Sequence, residues 1–416
     1  MSSFSFSLAA TGGWPTPHHR HQTSLEQILD FSIAPLTDIE RANADMTFNQ
    51  LISHAEPLQS TRPFMKASLV RLTYEHARSK DTFLQHFFYF VDGDGTQGRQ
   101  PTFEHGLSKF LGFASQTAPL LLKEAEGAID SFAEYLFENF FLPMKAAGSK
   151  TPQPSVASSS APGLENVVGT PARLSTLRRD CLIRDHNRCV VTQAFNLPEA
   201  VARRAKDPNP KDDDDEPLVF KLGDLADLEV AHIIPHSIMS AKTVDGEMQL
   251  TPFFQSESKK TALTILNMFD PGVVHLIEGP NIDRPFNAIS LTREAHTRFG
   301  LFQISFEPLN PTDANFDTNI PKHTYRIHGT PIYSDIFNLP VTRTLLVSPH
   351  HTIDPPSAKL LSLHRAIAMI LELSAAGEYI EHIIQHMEEV WVRGDGSVEL
   401  GHIVALRMGG WLDVAA

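Results

Sequence analysis

The stretch "AAGSKTPQPSVASSSAPG", Ala146 to Gly163, constrains this chain more than any other feature. Ser, Pro, Ala and Gly dominate it, so it has little to bury and reads as a flexible linker. The sequence on either side must then find its own apolar contacts. This divides the chain into a mostly helical N-terminal region at 1–145, the linker at 146–172, a central domain at 173–345 and a small, mostly helical C-terminal region with a hairpin at 346–416. A length of 416 residues suits such a division, since one domain takes roughly 100–200 residues.

Before the linker, Leu122, Ala125, Ile129, Phe132, Leu136 and Phe140 recur at helical spacing and predict one buried helix face. "KDTFLQHFFYFVDG" predicts a second apolar helix ending at Gly93. These helices suit a packing region or a surface for a protein partner. "DGDGTQG", from Asp92, starts like a calcium-binding loop but has Gln97 where the glycine and Phe103 where the glutamate should stand, so it reads as a turn.

After the linker, "STLRRDCLIRDHNRCVVTQAFN" predicts a short helix leading into a strand at Cys189 to Thr192. The insert at 203–217 contains four consecutive aspartates, which repel one another, and it is expected to be a solvated, disordered loop. "FNAISLTREAHTRFGLFQISFEP" reads as strand, helix, strand, with Phe302, Ile304 and Phe306 alternating at strand period. In the tail, Leu360, Leu363, Ile367 and Ile370 form one helical stripe, and Ile380, Ile384, Met387 and Trp391 form another. A hairpin is expected around Gly394-Asp395-Gly396.

Thirty-five basic against 49 acidic residues give a formal charge of −14. Binding to nucleic acid is dominated by neutralising phosphate charge, so this balance argues against a general nucleic-acid coat and leaves room for a local basic cleft. Cys181 and Cys189 are the only cysteines. They exclude a disulfide scaffold and a four-cysteine zinc site, and read as small buried residues. With no apolar run of about 18 residues and no basic segment before the first apolar residues, the chain is expected to be intracellular, in nucleus or cytoplasm, with no membrane contact.

Among the 20 histidines, His18, His19, His21 and the His350-His351 pair have unremarkable surroundings. His232 differs. In "LEVAHIIPHS" it ends an apolar run that Pro235 stops. Downstream, Asn287 opens a second strand, and Thr292 can cap a helix that carries Glu294 in its first turn and then His296. Two strands and one helix can thus enclose a small site.

This ordered set resembles the HNH nuclease family with its ββα-metal fold, over roughly Leu174 to Pro308. "CLIRDHNRCVVTQ", "AHIIPHS", "FNAISL" and "REAHTRFG" align in order, and the region from "LNMFDPGVV" onward looks like the fungal-type branch. The resemblance implies an α+β central domain and a metal-dependent endonuclease that cleaves DNA. It implies His232 as general base, Asn287 as an orienter of its loop or a carbonyl ligand, and His296 as a metal ligand. The cofactor would be a divalent metal, Mg²⁺, Mn²⁺ or Zn²⁺. Phosphodiester hydrolysis fits these groups, because an imidazole titrating near neutrality can deprotonate water and a cation can offset charge on phosphate.

Two departures stand out. Ala231 occupies the position before the first histidine, where many members carry a metal ligand, so a metal would rely on His296, Asn287, waters and substrate phosphates, or on a histidine from elsewhere such as His236 or His275. Residues Met239 to Gly279 form an insertion between the two strands. Lys259, Lys260 and Arg284 read as surface charge, whereas Arg293 and Arg298 flank His296 and are expected to contact phosphate. The alternatives are an HNH-fold binding or regulatory protein with weak or no catalysis, and a helical adaptor.

Overall fold

The computed structural model describes residues 34–93, 101–113, 118–148, 171–221, 223–239, 243–244, 247–248, 257–309, 321–348, 352–389 and 411. The N-terminal histidines, residues 149–170 of the expected linker, His350-His351, Trp391 and the Gly394–Gly396 hairpin lie outside them. The fold is α+β, mostly helical, with small sheets.

Among the described residues, six α-helices precede the linker: α1 Asp38–Ala55, α2 Lys66–His76, α3 Lys80–Asp92, α4 Phe103–Phe110, α5 Pro119–Leu136 and α6 Leu142–Gly148, the last joined to α5 by a π-helical turn at Phe137–Phe141. Local sequence sets their starts. Thr37 and Glu40 form a reciprocal capping box on α1, and Ser79 caps α3. The predicted apolar face of α5 is buried at Ala125, Ile129, Phe132 and Leu136. Phe48, Phe83, Phe87 and Phe132 meet edge to face in the core between α1, α3 and α5.

Helix α6 runs three residues into the segment expected to be linker. Ala146, Ala147 and Gly148 are helical and buried, because the tail of α6 packs against other elements instead of entering solvent.

The middle of the chain begins with α7 Pro171–Arg184. The expected strand at Cys189 to Thr192 is instead a tight turn, and β1 is the short Phe195–Asn196. Helix α8 Leu197–Lys206 follows. The acidic insert is ordered, contrary to expectation. Asp212 pairs with Arg188, Asp213 with Arg203 and Asn187, and Asp214 with His186. Each of these aspartates meets its own donor, so their mutual repulsion does not expel the segment.

β2 Leu225–Ala226 pairs with β1, and β3 Leu228–His232 then begins. The insertion contains a small hairpin, β4 Thr243–Val244 with β5 Glu247–Met248, then α9 Glu257–Phe269 and α10 Val273–Ile277. Two 3₁₀ turns, Gly279–Asp283 and Pro285–Asn287, lead into β6 Ala288–Thr292 and α11 Arg293–Gly300. Phe302 sits in a left-handed turn rather than a strand, with φ of 58°. A three-stranded sheet follows, β7 Ile304–Pro308, β8 Thr324–Gly329 and β9 Val341–Thr344 in that order, with α12 Pro331–Phe337 between the last two. Helix α13 Ala358–Leu373 buries its predicted apolar stripe, and on α14 Ala376–Glu389 Ile380 is buried and Ile384 half-buried.

One apolar cluster links the N-terminal helices, α9, α11, the β7 sheet and the C-terminal helices. The expected boundaries therefore divide the sequence without dividing this core. No single helix among the described residues is long and apolar enough to cross a membrane.

Candidate functional site

β3 and β6 pair antiparallel, from Leu228 opposite Thr292 to His232 opposite Ala288. Side chains alternate along a strand, so Glu229 and Ala231 leave one face of β3 while Val230 and His232 leave the other. Contacts agree with this alternation. Val230 joins Leu177 and Cys181 of α7 in a small apolar cluster, and Glu229 meets His296 of α11.

The ladder ends at His232, yet the chain beyond it is still held. Ile233 N–H donates to the Asn287 carbonyl at 2.8 Å. The Asn287 side chain then continues the pattern. Its Oδ1 accepts from Ile234 N–H at 2.9 Å, and its Nδ2 donates to the carbonyls of Ile234 at 3.1 Å and Ile282 at 2.9 Å. Asn287 is fully buried. Both amide protons and one acceptor site are thus engaged in fastening the loop after His232 to the turn before β6.

That turn is itself anchored from α7. Arg184, buried, donates to the carbonyls of Pro285 at 2.7 Å and Ala288 at 2.8 Å, on either side of Asn287. Asp185 pairs with Arg184 and accepts from Ser290 N–H at 3.0 Å. A buried guanidinium is costly unless paired and fully bonded, and here its charge and donors are met by one carboxylate and backbone oxygens.

Two imidazole–carboxylate pairs result. His232 Nε2 lies 3.2 Å from Asp283 Oδ1 on one side, and both side chains are buried. His296 Nδ1 lies 2.7 Å from Glu229 Oε2 on the other. The hydrogen bond to His296, with help from Arg293, holds the Glu229 carboxyl below the usual glutamate range despite partial burial. Arg178, half-buried near Glu229 and Asp227, is pushed down by desolvation. The structure therefore brings His232, Asn287 and His296 onto adjoining elements, and it gives the two imidazoles separate acidic partners.

The other candidates sit as follows. Arg293 reaches Glu229 at 3.0 Å with a side chain 78% exposed. Arg298 pairs with Glu294 at 2.8 Å and lies over the Tyr333 ring. His236 places its ring 5.8 Å from that of His232, while His275 pairs with Glu278 at 3.5 Å. Lys259 is no surface charge: it is buried beside Trp411. Lys260 pairs with Glu257 and Arg284 with Asp354. Both cysteines are buried and unbridged, and burial pushes the Cys181 thiol up to about 12.

Residues 189–307 match the family model HNH_2, described as HNH endonuclease. The chain carries an HNH domain. The match spans Cys189 through β3, β6 and α11 to Glu307, so every residue of the two imidazole pairs lies within it. No curated protein and no solved structure matches the chain. Glu229 and Asp283 escaped the sequence reading. Their acidic side chains carry no local signal, and each acts on a histidine brought to it by folding.

The expected divalent metal can be tested against these donors. Among the described residues, no group of three or more His, Cys, Asp or Glu side chains could hold a metal ion. A closed zinc site, which takes four such ligands, does not fit. Glu229 and His296 fit a smaller demand, since Mg²⁺-type ions use one or two carboxylates and keep waters and substrate oxygens for the rest.

Proposed function

We propose that the HNH domain is a metal-dependent endonuclease that hydrolyses phosphodiester bonds in DNA. The observation that carries this reading is the Asn287 clamp. A buried carboxamide with three hydrogen bonds ties Ile234, two residues after His232, to Ile282, which is the investment expected where an imidazole must be held in place. His232 ends β3, and Glu229 lies three residues earlier on the opposite face of the strand.

His232 takes a proton from water as the water oxygen forms its bond to phosphorus. The bond from phosphorus to the 3′ oxygen breaks, and that oxygen is protonated from solvent. Asn287 orients the loop and does not touch the reacting atoms. Glu229 and His296 would hold a divalent cation, with Glu229 supplying the carboxylate that Ala231 does not. When bound, the cation supplies positive charge to the phosphate. Arg293, exposed beside Glu229, is proposed to contact a phosphate; Arg298 would do so only by leaving Glu294.

The second reading, a binding protein that keeps the fold without catalysis, is favoured by one observation: fewer than three clustered donors stand in the site. Nicking of supercoiled plasmid in Mg²⁺ or Mn²⁺ separates the two. His232→Ala should lower the rate by about 10²–10⁴-fold. Glu229→Gln and His296→Ala should each raise the metal concentration needed for half-maximal rate. Absence of nicking in every divalent metal, or equal nicking by His232→Ala, would overturn the nuclease reading.

A further inference from the structure

We infer that Asp283 is a positioning residue that holds His232 in the one neutral tautomer able to act as a base at Nδ1. The inference rests on the reading of His232 as that base. Asp283 closes the turn Gly279–Asp283, with a fully buried side chain whose Oδ1 lies 3.2 Å from His232 Nε2. A carboxylate only accepts hydrogen bonds, so a neutral His232 must carry its proton on Nε2 and donate it. The lone pair is then left on Nδ1.

Nδ1 is buried and, among the described residues, has no hydrogen-bond partner. Leaving such an atom unsatisfied costs about 1–3 kcal/mol, and a cost of that kind calls for a use of the atom. The opposite tautomer would be worse on both sides. It would bury an unpaired N–H at Nδ1 and set the Nε2 lone pair against a carboxylate oxygen. When Nδ1 takes a proton, the imidazolium formed already faces a negative partner, as the transition state of general-base catalysis requires.

The arrangement is built from more than one side. Arg173 Nε lies 3.8 Å from Asp283 Oδ2 and compensates the buried charge, while its Nη2 donates to the Pro280 carbonyl at 2.7 Å. Asn287 donates to Ile282, the residue before Asp283, and to Ile234, two residues after His232. One carboxamide thus sets the spacing of the base and its carboxylate together.

The full-length protein labelled with ¹⁵N-histidine tests this, with His232 signals identified by their loss in His232→Gln. The wild type should show His232 protonated at Nε2 and bare at Nδ1. Asp283→Asn, nearly isosteric, should shift His232 wholly or partly to the Nδ1-protonated form, because the new amide can donate to Nε2. Asp283→Glu should retain the native pattern. In plasmid nicking, Asp283→Asn should lose about 10²-fold or more in kcat, with KM little changed. An Nδ1-protonated His232 in the wild type, or wild-type nicking by Asp283→Asn, would overturn the inference. The wild-type spectrum decides the point even if the variant does not fold. If the tautomer is as stated and the wild type does not nick DNA, the assignment to Asp283 stands and the nuclease reading falls.

Discussion

His364 lies between the rings of Phe299 and Phe302, with centroids 4.0 Å and 4.5 Å away, and its Nε2 donates to the Phe299 carbonyl at 3.0 Å. Burial pushes its pKa down to about 3. The folded value lies below the unfolded one, so as pH falls through about 6.5 the unfolded chain binds the proton first. Stability supplied by the neutral ring is complete above about pH 6.5 and is lost progressively as pH falls toward 3. The loss should be roughly 1 kcal/mol over the first pH unit. Urea unfolding midpoints of His364→Phe should fall less between pH 6.5 and 5.5 than those of the wild type; parallel falls would refute this. The same scale shows what could be read from sequence. His232 was marked by the proline that stops its strand, and His296 by its place in a capped helix. Asp283 and Glu229 lie 51 and 67 positions from the histidines they serve. Only the closed fold brings them together, and a carboxylate elsewhere in the chain would look the same.

Elements were legible where punctuation and periodicity agreed, and α11 is the clearest case. Thr292 leaves the strand, accepts from Ala295 N–H at 3.3 Å and starts the helix that carries His296. Thr292→Ala removes that acceptor and should cost about 1 kcal/mol in chemical denaturation, while Thr292→Ser should cost much less. Equal losses for the two would point to the missing methyl rather than the cap. Elements failed where tertiary contact overrode local preference. Cys189 to Thr192 looks like strand because Val190, Val191 and Thr192 are β-branched, yet Cys189 N–H bonds to the Ala194 carbonyl and closes a turn. Gln193 turns the chain there with φ of 65°. The four aspartates failed in the opposite sense. Self-repulsion argued for a free loop, but His186, Asn187, Arg188 and Arg203 supply donors that the local pattern did not reveal.

The whole molecule is held by contacts that no local pattern announces, and the end of α6 shows how. Lys145, buried, donates to the Leu301 carbonyl and to Glu381, each at 2.7 Å, and Gln303 donates to the same carboxylate at 2.7 Å. Burial pushes the lysine pKa down and Glu381 opposes that shift, so the ammonium is kept by its partner in a place where a lone charge would not stay. One ion pair therefore joins the N-terminal helices, the turn after α11 and α14. A linker reading of Ala146 onward missed this because small residues serve close packing as well as flexibility. Gly148 makes the distinction testable. A β-carbon there would overlap the backbone of Gly300, the last residue of α11. That neighbour is main chain and cannot rotate away, so Gly148→Ala must displace α6 or the end of the helix carrying His296. Overpacking of this kind costs about 1–3 kcal/mol, despite alanine's better helix propensity, and it should lower the melting temperature. A free linker at this position predicts the reverse: a Gly148→Ala protein as stable as the wild type or more so. A melting scan of the two proteins distinguishes these outcomes, and nicking by the variant reports whether the disturbance reaches the site through α11.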